Sequence, residues 1–312
     1  MASSEESPPE GYTARPATRE DLPAIDRLYL ENERALGTRP EPRSGYLGWR
    51  WSQDFVDLDR DTRLLERDGS LAGFAMLFVE PHAANLGSGM WRVHPDHAGR
   101  GLGTWILGYV DRRSREHPGV TTIRLGVEEE DVAGHRLLTE HGYGRVRTSY
   151  DMAVPLRGDE TPPADPPGMR VRPYIPGEER TLWRVEVEAF RDHWDHVEDQ
   201  PYESFLADWF EDPDRPPRVL VGEVDGEPQG VVAWVVDHGV PYVYSVAVRR
   251  EARGRGLATA LMAHTKAIVA AEGAEELTLS VDATNPTGAV HVYEKVGMTV
   301  QRTVAAYEKA IA

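Results

Sequence analysis

The stretch Arg253-Gly254-Arg255-Gly256-Leu257-Ala258 sets two cations among two glycines at the head of an apolar helical pattern. Glycine lets a backbone turn tightly with its amides exposed, and a helix starting there adds its positive end, so the arrangement suits a phosphate group. Arg253 and Arg255 can add charge-assisted hydrogen bonds to a diphosphate. Two common phosphate loops do not fit. A Walker loop needs a lysine after its second glycine, and none follows; a dinucleotide fingerprint needs a third glycine after the first strand of a βαβ unit, whereas this turn follows a hairpin and a fourth strand. Gly99, Arg100, Gly101 and Gly103 write a similar turn earlier in the chain.

The elements around the two turns repeat as well, and a repeat decides the fold before anything else does. Arg15-Pro16 matches Arg172-Pro173, Gly73 matches Gly230, Gly101 matches Gly256 and Gly142 matches Gly297. Each copy reads as an opening strand, an amphipathic helix and a hairpin turning on Asp68-Gly69 or Asp225-Gly226, a dipeptide suited to the positive φ angles of tight turns. A further strand, the glycine turn, a helix with apolar residues at helical spacing, a strand, a helix and a closing strand follow. The segment 157–168, rich in proline and polar residues, reads as an extended linker. The expected domains are residues 12–156 and 169–312, each a mixed α/β unit able to bury its own core.

Composition narrows the function. The 312 residues carry a net charge of −17, which disfavours a nucleic-acid partner and suits a cationic small molecule, although a solvated acidic surface is the better explanation of the charge. With no cysteine, disulfides, thiolate metal sites and a cysteine-linked covalent intermediate are excluded. No apolar run approaches the roughly 20 residues of a membrane helix, and the acidic start does not read as a secretory signal, so no membrane partner and a cytoplasmic location are expected.

Arg253 to Ala258 fits the [Arg/Gln]-x-x-Gly-x-[Gly/Ala] motif of the GNAT acyltransferases. The segment from Asn285 to Met298, with Tyr293-Glu294-Lys295, resembles that family's last motif segment. The resemblance spans nearly the whole chain as two tandem copies. It implies an α/β (α+β) fold in which each unit has a mixed, mostly antiparallel central sheet flanked by helices. It further implies direct transfer of an acyl group, acetyl by default, from acetyl-CoA to a primary amine, with no metal. In this resemblance Gly254, Gly256, Leu257 and Ala258 cradle the coenzyme pyrophosphate, strand residues Val246 and Val248 hold the pantetheine, and Asn285 bonds the coenzyme arm or orients the last helix. Tyr293 is the general acid. The first copy has Ala98, Glu130 and Leu138 where the second has Arg253, Asn285 and Tyr293, so it is expected to be non-catalytic, its turn either still holding coenzyme or only supporting the fold.

The base stays open between Glu186, Glu188 and a water relay ending at His193, His196 or Tyr244. Tyr244, Trp194 and His193 are candidates for the acceptor wall. The alternative function is an acyl-CoA sensor or scaffold without turnover. Two fused copies can replace a homodimer, so a monomer is expected.

Overall fold

The computed structural model describes residues 7–193, 198–210, 216–285 and 287–311. The chain forms two compact units, one of residues up to Thr148 together with Arg302 onward, the other running from Ser149 to Gln301. Among the described residues no helix is long and apolar enough to cross a membrane.

The first half contributes β1 (Thr13–Arg15), α1 (Leu22–Leu36), α2 (Ser44–Arg50), α3 (Leu58–Asp61), β2 (Thr62–Arg67), β3 (Ser70–Val79), β4 (Leu86–Val93), α4 (Leu102–Arg115), β5 (Thr122–Glu128) and α5 (Val132–Glu140). The first half ends with β6 (Gly144–Pro155), and the second contributes β7 (Met169–Pro173), α6 (Glu179–Phe190), α7 (Tyr202–Phe210), β8 (Arg218–Val224) and β9 (Glu227–Asp237). It continues with β10 (Val240–Val248), α8 (Leu257–Ala271), β11 (Glu276–Asp282), α9 (Ala289–Lys295) and β12 (Thr299–Ala310).

In the first unit the strands run in the order β1-β2-β3-β4-β5-β12, and in the second β6-β11-β10-β9-β8-β7. Only β4 with β5 and β10 with β11 pair in parallel; the other pairs within each unit are antiparallel. Each sheet is therefore mixed and mostly antiparallel, as the repeat implies.

Alternation along the strands splits each core into two layers. In the second unit Val232 and Trp234 pack under α8 with Leu257 and Leu261, while Val231 and Ala233 pack under α6 and α7 with Val185, Phe205 and Trp209. Gly230 lets α8 lie close to the sheet: an added Cβ there would lie 3.0 Å from Leu257 and 3.2 Å from the Ala247 carbonyl. The tight hairpin turns form as expected, with Asp68 and Gly69 at φ 52° and 76°, and Asp225 and Gly226 at 53° and 87°.

The closing strands differ from expectation. Strand β6, from the first half of the sequence, pairs with β11 from Ser149↔Asp282 to Pro155↔Glu276, while β12 pairs with β5 from Val304↔Glu128 to Ala310↔Thr122. The boundaries 12–156 and 169–312 gave each copy its own closing strand; in the structure the two copies exchange them. Met152 and Val154 enter the second core, Ala305 and Tyr307 the first. The segment 157–168 is also tied down, since Asp165 accepts from the Val171 amide and pairs with His264 at 3.0 Å.

Candidate active site

In the second unit β10 and β11 pair only at Tyr242↔Thr278 and Val243↔Leu279, although β10 continues to Val248 and β11 to Asp282. The strands part where β10 slips register against β9, between Val243 and Ser245. Such a bulge adds one residue and re-aims the side chains beside it. Its effect here is that Tyr244 and Ser245 both meet the α6–α7 layer: Tyr244 packs edge-on to Trp209 at 5.3 Å, and Ser245 donates to Glu186. Beyond the bulge the Arg249 amide donates to the Gln229 carbonyl on the β9 side. Alternation then turns the Val246 and Val248 amides to the edge that β11 has left. An extended chain bearing amides can pair with that edge as an added strand would.

At the far end of β10 lies the glycine turn. Gly254 and Gly256 stand at φ 72° and 94°, conformations that side chains disfavour, and Gly256 caps α8 with no side-chain oxygen over the helix amides. The first amides of this 15-residue helix are thus left facing outward for an anion. Leu257 is buried and fixes the helix to the sheet, and Ala258 beside it is small.

Arg253 behaves otherwise than its sequence position suggested. Its Nε donates to the Val248 carbonyl at 3.0 Å, Nη2 to the Ala189 carbonyl at 2.8 Å and Nη1 to Asp192 at 2.6 Å. The guanidinium therefore ties the turn to the end of α6 rather than reaching for a diphosphate. Arg250 shares Asp192, and hydrogen bonds from Arg250 and Arg253 hold that carboxyl down to about 2. Arg255 is exposed, so it is the cation of the pair that faces solvent at the turn.

Tyr293, on α9, is 7 % exposed and packs in the core beneath α8. Burial pushes its phenol above the ordinary tyrosine value, so it keeps its proton throughout the neutral range. Asn285 Oδ1 accepts from the Thr287 amide at 2.9 Å and hydroxyl at 2.6 Å, a local turn that leads into α9.

The two candidate bases separate. Glu188 forms an ion pair with Arg249 at 2.8 Å. Glu186 faces the bulge, where Ser245 Oγ donates to both carboxylate oxygens at 2.9 and 2.8 Å. Burial pushes Glu186 up to about 7, with the Ser245 hydrogen bond opposing it. Nothing in the sequence marks Ser245; a small polar residue in a strand has no motif, and only the bulge brings it to Glu186. His193 lies just past α6 with its ring 5.7 Å from Phe190. Trp194 and His196 fall outside the described residues, and among the described residues no cluster of three or more potential ligands could hold a metal.

The first unit has the same parting of strands but fills it. Strands β4 and β5 pair from Leu86↔Thr122 to Gly89↔Leu125 and then separate. Trp91, 5 % exposed, lies across the opening and donates from Nε1 to the Gly126 carbonyl of β5 at 3.1 Å. Next to it Arg92 of β4 pairs with Glu128 of β5. The turn itself survives, with Gly99 and Gly101 at φ 71° and 81°, and Arg100 beside them is exposed. Pro9 lies over Gly101, 3.7 Å from where a Cβ would stand. Gly103 serves packing instead: a Cβ there would lie 2.5 Å from Leu137. Leu138, at the position of Tyr293, is fully buried. In the second unit Val246 replaces the tryptophan, and Ser280, just past the last paired residue of β11, is exposed.

The family model for the acetyltransferase (GNAT) family matches residues 22–143 and again 180–298. Among curated proteins, the mycothiol acetyltransferase of Nocardiopsis dassonvillei is 32% identical over 77% of this chain and 79% of its own length. That of Streptomyces griseus subsp. griseus is 34% identical over 78% of each chain. Among solved structures, a GCN5-related N-acetyltransferase from Sphaerobacter thermophilus is 29% identical with a TM-score of 0.81, covering 98% of this chain and 97% of its own. A tandem GNAT protein from the clavulanic acid biosynthesis pathway shares the fold at 17% identity, with a TM-score of 0.74 over 96% of this chain and 99% of its own.

Proposed function

The chain belongs to the acetyltransferase (GNAT) family and is an N-acetyltransferase; from that premise we propose that it moves the acetyl group of acetyl-coenzyme A directly onto a primary amine of a small-molecule acceptor, with the chemistry in the second unit. The observation that carries the choice of unit is the contrast between the two strand partings. One is filled by Trp91 and bridged by Arg92 with Glu128, whereas the other is edged by Val246 and exposed Ser280. The relatives' name, mycothiol acetyltransferase, supports a small acceptor.

In this reading the pyrophosphate rests on the amides at Gly254 to Ala258, with Arg255 beside it and Arg253 bracing the turn. The pantetheine arm runs along the freed edge of β10, where Val248 to Tyr244 spans about 13 Å of extended chain. That reach brings the thioester to the bulge. There the Val246 amide is a donor for the developing oxyanion, Glu186 takes the proton of the attacking amine, and Tyr293 supplies one to the departing sulfur. Tyr244 and His193 are acceptor-side residues.

Calorimetric titration with coenzyme A should give one site per chain; two equivalent sites would overturn the assignment to one unit. With an amine that gives thiol release from acetyl-coenzyme A in a screen, Tyr293→Phe should lose roughly 100-fold in kcat and leave coenzyme affinity unchanged. A wild-type rate would remove Tyr293 from the chemistry. If no amine in a broad panel released thiol while coenzyme still bound, the sensor reading would replace the enzyme reading.

A further inference from the structure

We propose that Ser245 is the positioning residue of this site: its hydroxyl holds the Glu186 carboxylate at the mouth of the β10–β11 parting, where the acceptor amine has to lose its proton. The inference rests on the assignment of Glu186 as the base and adds the group that aims it.

Three observations carry it. The register slip between Val243 and Ser245 turns Ser245 onto the same face as Tyr244, toward α6, at the point where β10 and β11 part. The single hydroxyl sits 2.9 and 2.8 Å from the two carboxylate oxygens, and Ser245 is only 5 % exposed, so the contact is fixed by packing. The surroundings offer the carboxylate little else. On this face β9 presents Val231 and Ala233, α7 presents Phe205 and Trp209, and β10 presents Tyr244 and Ala247. The cations at the end of β10 are taken by other acids, Arg249 by Glu188 and Arg250 with Arg253 by Asp192. Ser245 is therefore the group that favours ionised Glu186 against the burial that disfavours it.

The test needs no acceptor. In protein carrying carbon-13 in its glutamate carboxyls, the Glu186 signal is identified by its absence from Glu186→Gln and followed against pH. Removing a hydrogen bond to a charged group should move the Glu186 midpoint upward in Ser245→Ala by about one pH unit. Ser245→Thr, which keeps the hydroxyl, should restore the wild-type midpoint. With a panel amine, the acid limb of kcat/KM should move with the signal. An unmoved midpoint in Ser245→Ala overturns the role of Ser245 while leaving Glu186 as base. A wild-type turnover rate in Glu186→Gln overturns the base, and a shifted midpoint in Ser245→Ala would then show the hydrogen bond to be structural alone.

Discussion

Glu186→Gln is expected to lower kcat/KM for the acetyl acceptor by roughly 100- to 10,000-fold, the span of a positioned general base, while coenzyme affinity stays unchanged. Glutamine fills the same space and still accepts from Ser245, so the loss isolates proton transfer. A second readout has the opposite sign. The folded protein holds Glu186 at about 7 against an ordinary 4.5. Below the ordinary value the group is protonated in both states and costs nothing. As pH rises toward 7 the unfolded chain ionises first, and above 7 the whole penalty is present, on the order of 3 kcal/mol. The variant should therefore unfold at a higher temperature than wild type at pH 8 and at much the same temperature at pH 4. An inactive protein that is more stable only under alkaline conditions is the combined result expected of a base held in an unfavourable place. Unaltered kcat/KM, or an equal stability change at both pH values, would refute it.

The second large effect belongs to the first unit. Glu128 is 2 % exposed and is held below the ordinary carboxylate range: burial pushes it up, but the charges of Arg92, Arg302 and Arg43 together with a backbone hydrogen bond outweigh that. Glu128→Ala leaves Arg92 without its partner in a largely enclosed position, and the expected loss is about 3 kcal/mol. Arg92→Leu with Glu128→Leu removes both charges together and should recover most of that loss, since an apolar pair of similar volume is often as stable. The measurement is thermal unfolding of both variants. A double variant no better than the single one would show that the pair is worth more than the desolvation it costs.

The glycines and their order made the fold legible. Asp68-Gly69 and Asp225-Gly226 announced their hairpins because few other dipeptides accept two positive φ angles, and Gly254 with Gly256 announced the turn for the same reason. Which strand closes each sheet was not legible. The alternation of Met152 and Val154, like that of Ala305 and Tyr307, states that one face is buried and says nothing about the neighbour it lies beside. Trp91 was hidden by its own ordinariness, since a tryptophan in a strand reads as core; its indole hydrogen bond to Gly126 is visible only once the strands are seen to part. Arg253 shows the converse. Its spacing marked the motif correctly, but the direction of its guanidinium depended on Asp192 and the end of α6, some 60 residues away in the chain.

The exchanged closing strands bear on how the protein is made. Strand β5 leaves the ribosome with its outer edge bare, and its partner β12 follows only about 170 residues later. At roughly 5 to 20 residues per second, that edge waits many seconds for its mate. The first unit is thus completed only after nearly all of the second has been made, while the second can take up β6, already made, as soon as β11 emerges. The half that comes first in the sequence is the one that finishes folding last, and dividing the gene at the linker would strand each closing segment in the wrong product.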